Sequence, residues 1–178
     1  MSEFLPFHHV VNVRTLPRRG RSEALTPDAA AREAIGRYLD VESVANLDLA
    51  ANVTPWKRDG VRVEGTIEAD IVQACVVSLE PVESRLRERF EAILVPEGSR
   101  LAAPRTGDAE LLLDADGDDP PETFEGDTID LAAVWLEHMA LAIDPFPRAP
   151  GAKLAETGTD ERRSPFAALA ALKPANDS

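Results

Sequence analysis

Between residues 61 and 96 the apolar side chains recur at every second position, and no other feature narrows the possible folds as much. Val61, Val63, Ile67, Ala69 and Ile71 fall on one side, and Cys75, Val77 and Leu79 carry the alternation on. After Pro81 the phase changes, and a second run sets Val82, Leu86, Phe90, Ala92 and Leu94 against Arg85, Arg87, Arg89 and Glu91. A period of two puts successive side chains on opposite faces of a strand, so each run predicts one buried and one wet face. Pro81 marks the bend between them. Nothing in the stretch has the spacing of a phosphate loop or the glycine setting of a nucleophile elbow.

The flanking segments predict what surrounds this centre. Residues 7–14 read as a first strand with Val11 and Val13 on one face, and residues 17–21, Pro-Arg-Arg-Gly-Arg, as a basic connection. Thr26 can cap a helix with Pro27 at its first position, and the stripe Ala31, Ala34, Ile35, Tyr38 and Leu39 carries that helix to about residue 39. Period two returns through Val44, Leu47, Leu49, Ala51 and Val53, and Asp59-Gly60 then signals a hairpin into Val61. A second helix is expected over residues 129–143, capped by Asp127 or Thr128, with Leu131, Val134, Trp135, His138 and Met139 on the stripe that covers the sheet. Three prolines in residues 144–151 end it. Ser164 can cap a short last helix over residues 165–173, with Phe166, Leu169 and Leu172 on one face.

Hairpins with interspersed helices predict an α+β fold: a mostly antiparallel sheet that curls toward a barrel, two main helices and a short C-terminal helix. One domain over residues 1–151, with a flexible linker and short helix over 152–178, is the expected organisation.

An acid-rich stretch near 106–128 interrupts the pattern. Ten Asp and Glu fall between Asp108 and Asp130 with no Lys or Arg, and Gly117 and Pro120-Pro121 break up any regular element. Residues 109–113 can form a short edge strand, and Asp114, Asp116, Asp118 and Asp119 then lie in a solvated loop. That loop is either plain acidic surface or a mimic of nucleic-acid charge that meets a basic protein. The formal net charge of -13 argues against phosphate binding by the protein as a whole and favours a basic partner. Within this field Arg85, Arg87 and Arg89 make a local basic stripe. They are either solvated and paired with nearby acids or a contact for RNA phosphate or an acidic patch. Arg148, set between prolines, either docks on the domain or faces a partner.

Candidate chemistry is sparse. A single cysteine excludes an intrachain disulfide and fits a reducing compartment. Cys75, on the apolar side of its run, reads as a small buried hydrophobe. His8 and His9 point to opposite faces of a strand, so satisfied or surface histidines are expected rather than a zinc triad with His138. No catalytic motif frames the carboxylates, and no cofactor is expected. Glu3 stands where a signal peptide carries positive charge, and no apolar run nears the length of a membrane span, so a cytoplasmic protein off the membrane is expected.

Four pieces of sequence carry a family resemblance: Asp59-Gly-Val-Arg-Val-Glu-Gly65; Gln73-Ala-Cys-Val-Val-Ser-Leu-Glu-Pro-Val82; Asp127-Thr-Ile-Asp-Leu131 with Glu137 and Leu141; and residues 144–151 followed by Ser-Pro-Phe-Ala-Ala-Leu-Ala-Ala-Leu-Lys at 164–173. In order and spacing they resemble the YceD family, named for accumulation of large-subunit ribosomal RNA, and its alphaproteobacterial members above all. The resemblance implies a cytoplasmic bacterial protein of large-subunit biogenesis. A non-enzymatic factor that binds a large-subunit ribosomal protein or a precursor particle is the leading expectation, with the acidic stretch as the attractive surface and Arg85, Arg87 and Arg89 as an rRNA contact. An rRNA-processing enzyme or nuclease cofactor, and a general acidic interaction module, are the alternatives. Many relatives carry a Cys-x-x-Cys in the central run and further cysteines after the second helix, which implies a metal site. Here Ser78 replaces the second cysteine and residues 144–151 hold none, so no zinc site of that kind is expected.

Overall fold

A computed structural model describes residues 5–102 and 121–153. The strand expected at 109–113, the aspartate loop at 114–119 and the last helix at 165–173 lie outside the described residues. Seven strands and two helices follow in order: β1 (Val10–Asn12), β2 (Arg21–Leu25), α1 (Ala29–Tyr38), β3 (Ser43–Trp56), β4 (Gly60–Ala74), β5 (Pro81–Pro96), β6 (Glu122–Phe124), β7 (Thr128–Asp130) and α2 (Leu131–Ala142). The fold is α+β. No helix among the described residues is long and apolar enough to cross a membrane.

The long alternating runs become β3, β4 and β5, each antiparallel to the next through Val53↔Val63 and Val63↔Ala92. Their inward residues, among them Leu47, Val53, Val63, Ile67 and Leu94, join Ile35 of α1 and Leu131, Trp135 and Met139 of α2 in one core. Burying each of the larger aliphatic side chains stabilises the fold by about 1.5–3 kcal/mol. Trp135 is the largest of the fully buried side chains, 1% exposed, with its indole N–H donating to the Ala50 carbonyl at 3.4 Å.

The sheet does not curl into a barrel. Its strands run β2-β3-β4-β5-β6, and β1 with β7 makes a separate antiparallel ribbon. Closure requires the first and last strands to meet. Among the described residues β2 and β6 do not pair, β1 pairs with β7, and β6 joins β5 in parallel for three residues only.

Four local expectations are corrected. Asp28, not Thr26, caps α1 by accepting from the Ala31 amide at 2.8 Å, because the Thr26 hydroxyl donates to Asp48. Asp130 caps α2 through the Ala132 amide, and the residues expected to start that helix form β7. The supposed basic connection ends in an edge strand, β2, whose Arg-Ser-Glu-Ala-Leu sequence carries no alternation. Finally, the central run stops at Ala74: Cys75 opens a tight turn in which the Leu79 amide bonds the Cys75 carbonyl and Leu79 takes φ 61°. Leu79 is 76% exposed there rather than on the buried side of a strand.

Candidate partner-binding surfaces

The outer face of β4 and β5 carries the arginine stripe. Alternation turns Arg85, Arg87 and Arg89 to solvent, and the antiparallel register sets Asp70 opposite Arg85, Glu68 opposite Arg87 and Thr66 opposite Arg89. Arg85 reaches Glu68 at 3.3 Å and Asp70 at 3.8 Å, and Arg87 reaches Glu68 at 3.8 Å. Exposed pairs of this kind contribute about 0–1 kcal/mol each, but they cancel charge across the face. Arg89, opposite a threonine, forms no ion pair among the described residues. The stripe is therefore an alternation of charges rather than a basic strip.

Arg148 lies exposed on the connection after α2. That connection packs on the turn at Cys75: the Val76 amide donates to the Pro147 carbonyl at 2.9 Å, and Gln73 donates to the Asp144 carbonyl at 3.0 Å. The buried Cys75 sulfur accepts three amides, from Val77 and Ser78 at 3.4 Å and from Ala149 at 3.3 Å. The Ser78 side chain first, then the Ala149 and Ser78 amides, lower the thiol's pKa from 9.0 to about 6, with burial opposing them.

The histidines have separate partners. His8 Nδ1 meets Asp130 at 2.6 Å, His9 Nε2 meets Glu23 at 3.0 Å, and His138 stacks on Phe90 with ring centroids 4.5 Å apart. Among the described residues no three His, Cys, Asp or Glu come together as a metal cage.

A third surface went unread in the sequence. Where β6 ends the five-stranded sheet, an open groove of about 870 Å³ separates it from the β1–β7 ribbon, with the first half of α2 beneath. Leu94, Phe124, Ile129 and Val134 give it an apolar floor, and Glu97, Glu122, Glu125, Asp130 and Glu137 rim it. No Lys or Arg lines it. Asp130 is engaged by His8, the His9 amide and the helix it caps. The four glutamates have no salt bridge among the described residues. Partial burial, then the nearby Glu137 carboxylate, raise the pKa of Glu122. Such a site offers negative charge over apolar surface.

The groove residues come from three separated segments, so the sequence alone does not bring them together. A faint signal exists in Glu137, the one charged side chain in an otherwise apolar helix. Asp114, Asp116, Asp118 and Asp119 lie outside the described residues, though the acid-rich stretch leads in sequence straight into β6.

The family model described as "Large ribosomal RNA subunit accumulation protein YceD" matches residues 63–173, more than half of the chain. The chain belongs to the YceD family. Membership gives it a role in accumulation of large-subunit ribosomal RNA. The match opens in β4, takes in the Cys75 turn, the arginine stripe, the groove residues other than His8 and Val10, and α2, and runs past the described residues. Comparison with curated proteins returns no match, and comparison with solved structures returns none. The metal site that the cysteines of many YceD relatives imply does not fit this chain. A structural zinc takes four Cys or His ligands. At this turn there is one sulfur, its lone pairs already shared among three amides, and a serine in the second position.

Proposed function

We propose that this YceD protein is a non-enzymatic factor of large-subunit biogenesis that works in the cytoplasm by binding a basic ribosomal protein, free or on a precursor particle. The observation that carries this is the distribution of uncompensated charge. Arg85 and Arg87 of the outer face are matched across the strands by Glu68 and Asp70, whereas four groove glutamates have no salt bridge among the described residues. With a formal net charge of -13, long-range attraction favours a basic protein over bare RNA. The acid-rich stretch that precedes β6 in sequence adds to that net charge. Arg89 and the exposed Arg148 support a secondary contact with rRNA phosphate once the protein partner has brought the particle close.

Replacing Asp114, Asp116, Asp118 and Asp119 together by Asn tests the contribution of the acidic stretch. Exposed charges at an interface contribute a few tenths to about 1 kcal/mol each, so capture of large-subunit proteins weakens about tenfold at low salt. Undiminished capture by the fourfold variant removes that stretch from the account.

A further inference from the structure

The edge of the five-stranded sheet faces the groove, and its hydrogen-bonding direction is fixed by its partner. In a parallel ladder, residues bonded to one neighbour alternate with residues whose N–H and C=O point the other way. The Glu97 amide bonds the Phe124 carbonyl at 2.9 Å, and the register pairs Leu94 with Glu122 and Pro96 with Phe124. Glu122 and Phe124 thus turn their main-chain groups toward β5, and Thr123 turns its own outward. Among the described residues no strand pairs with that edge.

We propose that the groove between β6 and the β1–β7 ribbon takes an extended, lysine- or arginine-bearing peptide segment of a basic protein, bonded to the main chain of Thr123. An extended segment added to a sheet edge gains main-chain hydrogen bonds, and its alternate side chains find separate surroundings. Here the groove offers apolar side chains a floor, where Val10 stands 58% exposed, and basic ones the carboxylates of Glu97, Glu122, Glu125 and Glu137. A cation beside Glu122 and Glu137 would also offset the burial, and then the Glu137 repulsion, that raise the Glu122 pKa. Charge complementarity selects the occupant: an acidic peptide or an RNA strand would bring its charge against four carboxylates.

This assignment rests on the reading of the partner as a basic protein, and the experiment separates the two. The probe is a fluorescein-labelled heptapeptide of alternating Lys and Val, titrated with the full chain and followed by anisotropy. The inference expects binding that weakens about tenfold in the E122Q/E125Q/E137Q variant, and as much again when alternate peptide amides are N-methylated or when Thr123→Pro removes the outward N–H. Equal binding of the N-methylated peptide overturns strand addition; wild-type affinity in the triple variant overturns the groove. So does an oligouridylate of the same length that binds the wild type more tightly than the peptide. If tagged triple variant still captures basic large-subunit proteins as well as wild type does, the groove falls and the proposed function stands. If wild type captures none, that function falls whatever the peptide does.

Discussion

The sulfur of Cys75 takes the place, at a tight turn, that secondary structure cannot fill. Three amides that no strand or helix partners point at one atom, and each buried amide left without an acceptor would cost about 1–3 kcal/mol. The sequence placed Cys75 correctly as buried, yet its alternation with Val77 and Leu79 imitated a strand, because periodicity carries no trace of a sulfur acceptor. The lowered pKa has a consequence for stability. A thiol at about 6 in the folded protein and near 9.0 when unfolded favours folding once pH exceeds the folded value and the native thiolate forms. That contribution is full above the unfolded value, shrinks as pH falls, and is gone below about 6. The difference in melting temperature between wild type and Cys75→Ala therefore widens as pH rises from 6 to 9. A constant difference across that range would show that the sulfur stays protonated.

Among the elements, β4 and β5 were legible because they are long: fourteen register pairs hold them together, enough for the period of two to stand out. Of the three-residue strands, β1 falls inside the strand expected over residues 7–14, whereas β6 and β7 are too short to show any period, and the β1–β7 pairing joins residues more than a hundred positions apart, as in Val11↔Ile129. Gly65 marks the tightest point of the β4–β5 pair. Phe90 lies across it in register, and a Cβ there would run into the Phe90 ring and come within 2.5 Å of the Ala50 carbonyl. Phe90 in turn stacks on His138, so it cannot withdraw without disturbing α2. Gly65→Ala is expected to cost about 1–3 kcal/mol, measured as a lower urea midpoint with unchanged slope. A midpoint equal to wild type would mean that the ring moves freely.

For the molecule as a whole, charge is the organising property, and its distribution was only half visible in the sequence. The face occupied by Arg85, Arg87 and Arg89 followed from alternation, but the acids that match the first two follow only from the strand register. The groove was hidden for a related reason: Glu97, Glu122 and Glu137 become neighbours only when β5, β6 and α2 pack together. The open sheet leaves β6 as an edge, and Glu97, Glu122, Glu125 and Glu137 gather negative charge beside it. On the proposed function, this end of the fold captures a basic large-subunit protein. The most direct measurement is a capture of tagged protein from its own cytoplasm at low and moderate salt, with and without nuclease, identifying bound protein and RNA together. A basic large-subunit protein retained after nuclease treatment but released by salt is the predicted result. Recovery of large-subunit rRNA alone, lost on nuclease treatment, would contradict it and transfer the binding site to Arg89 and Arg148.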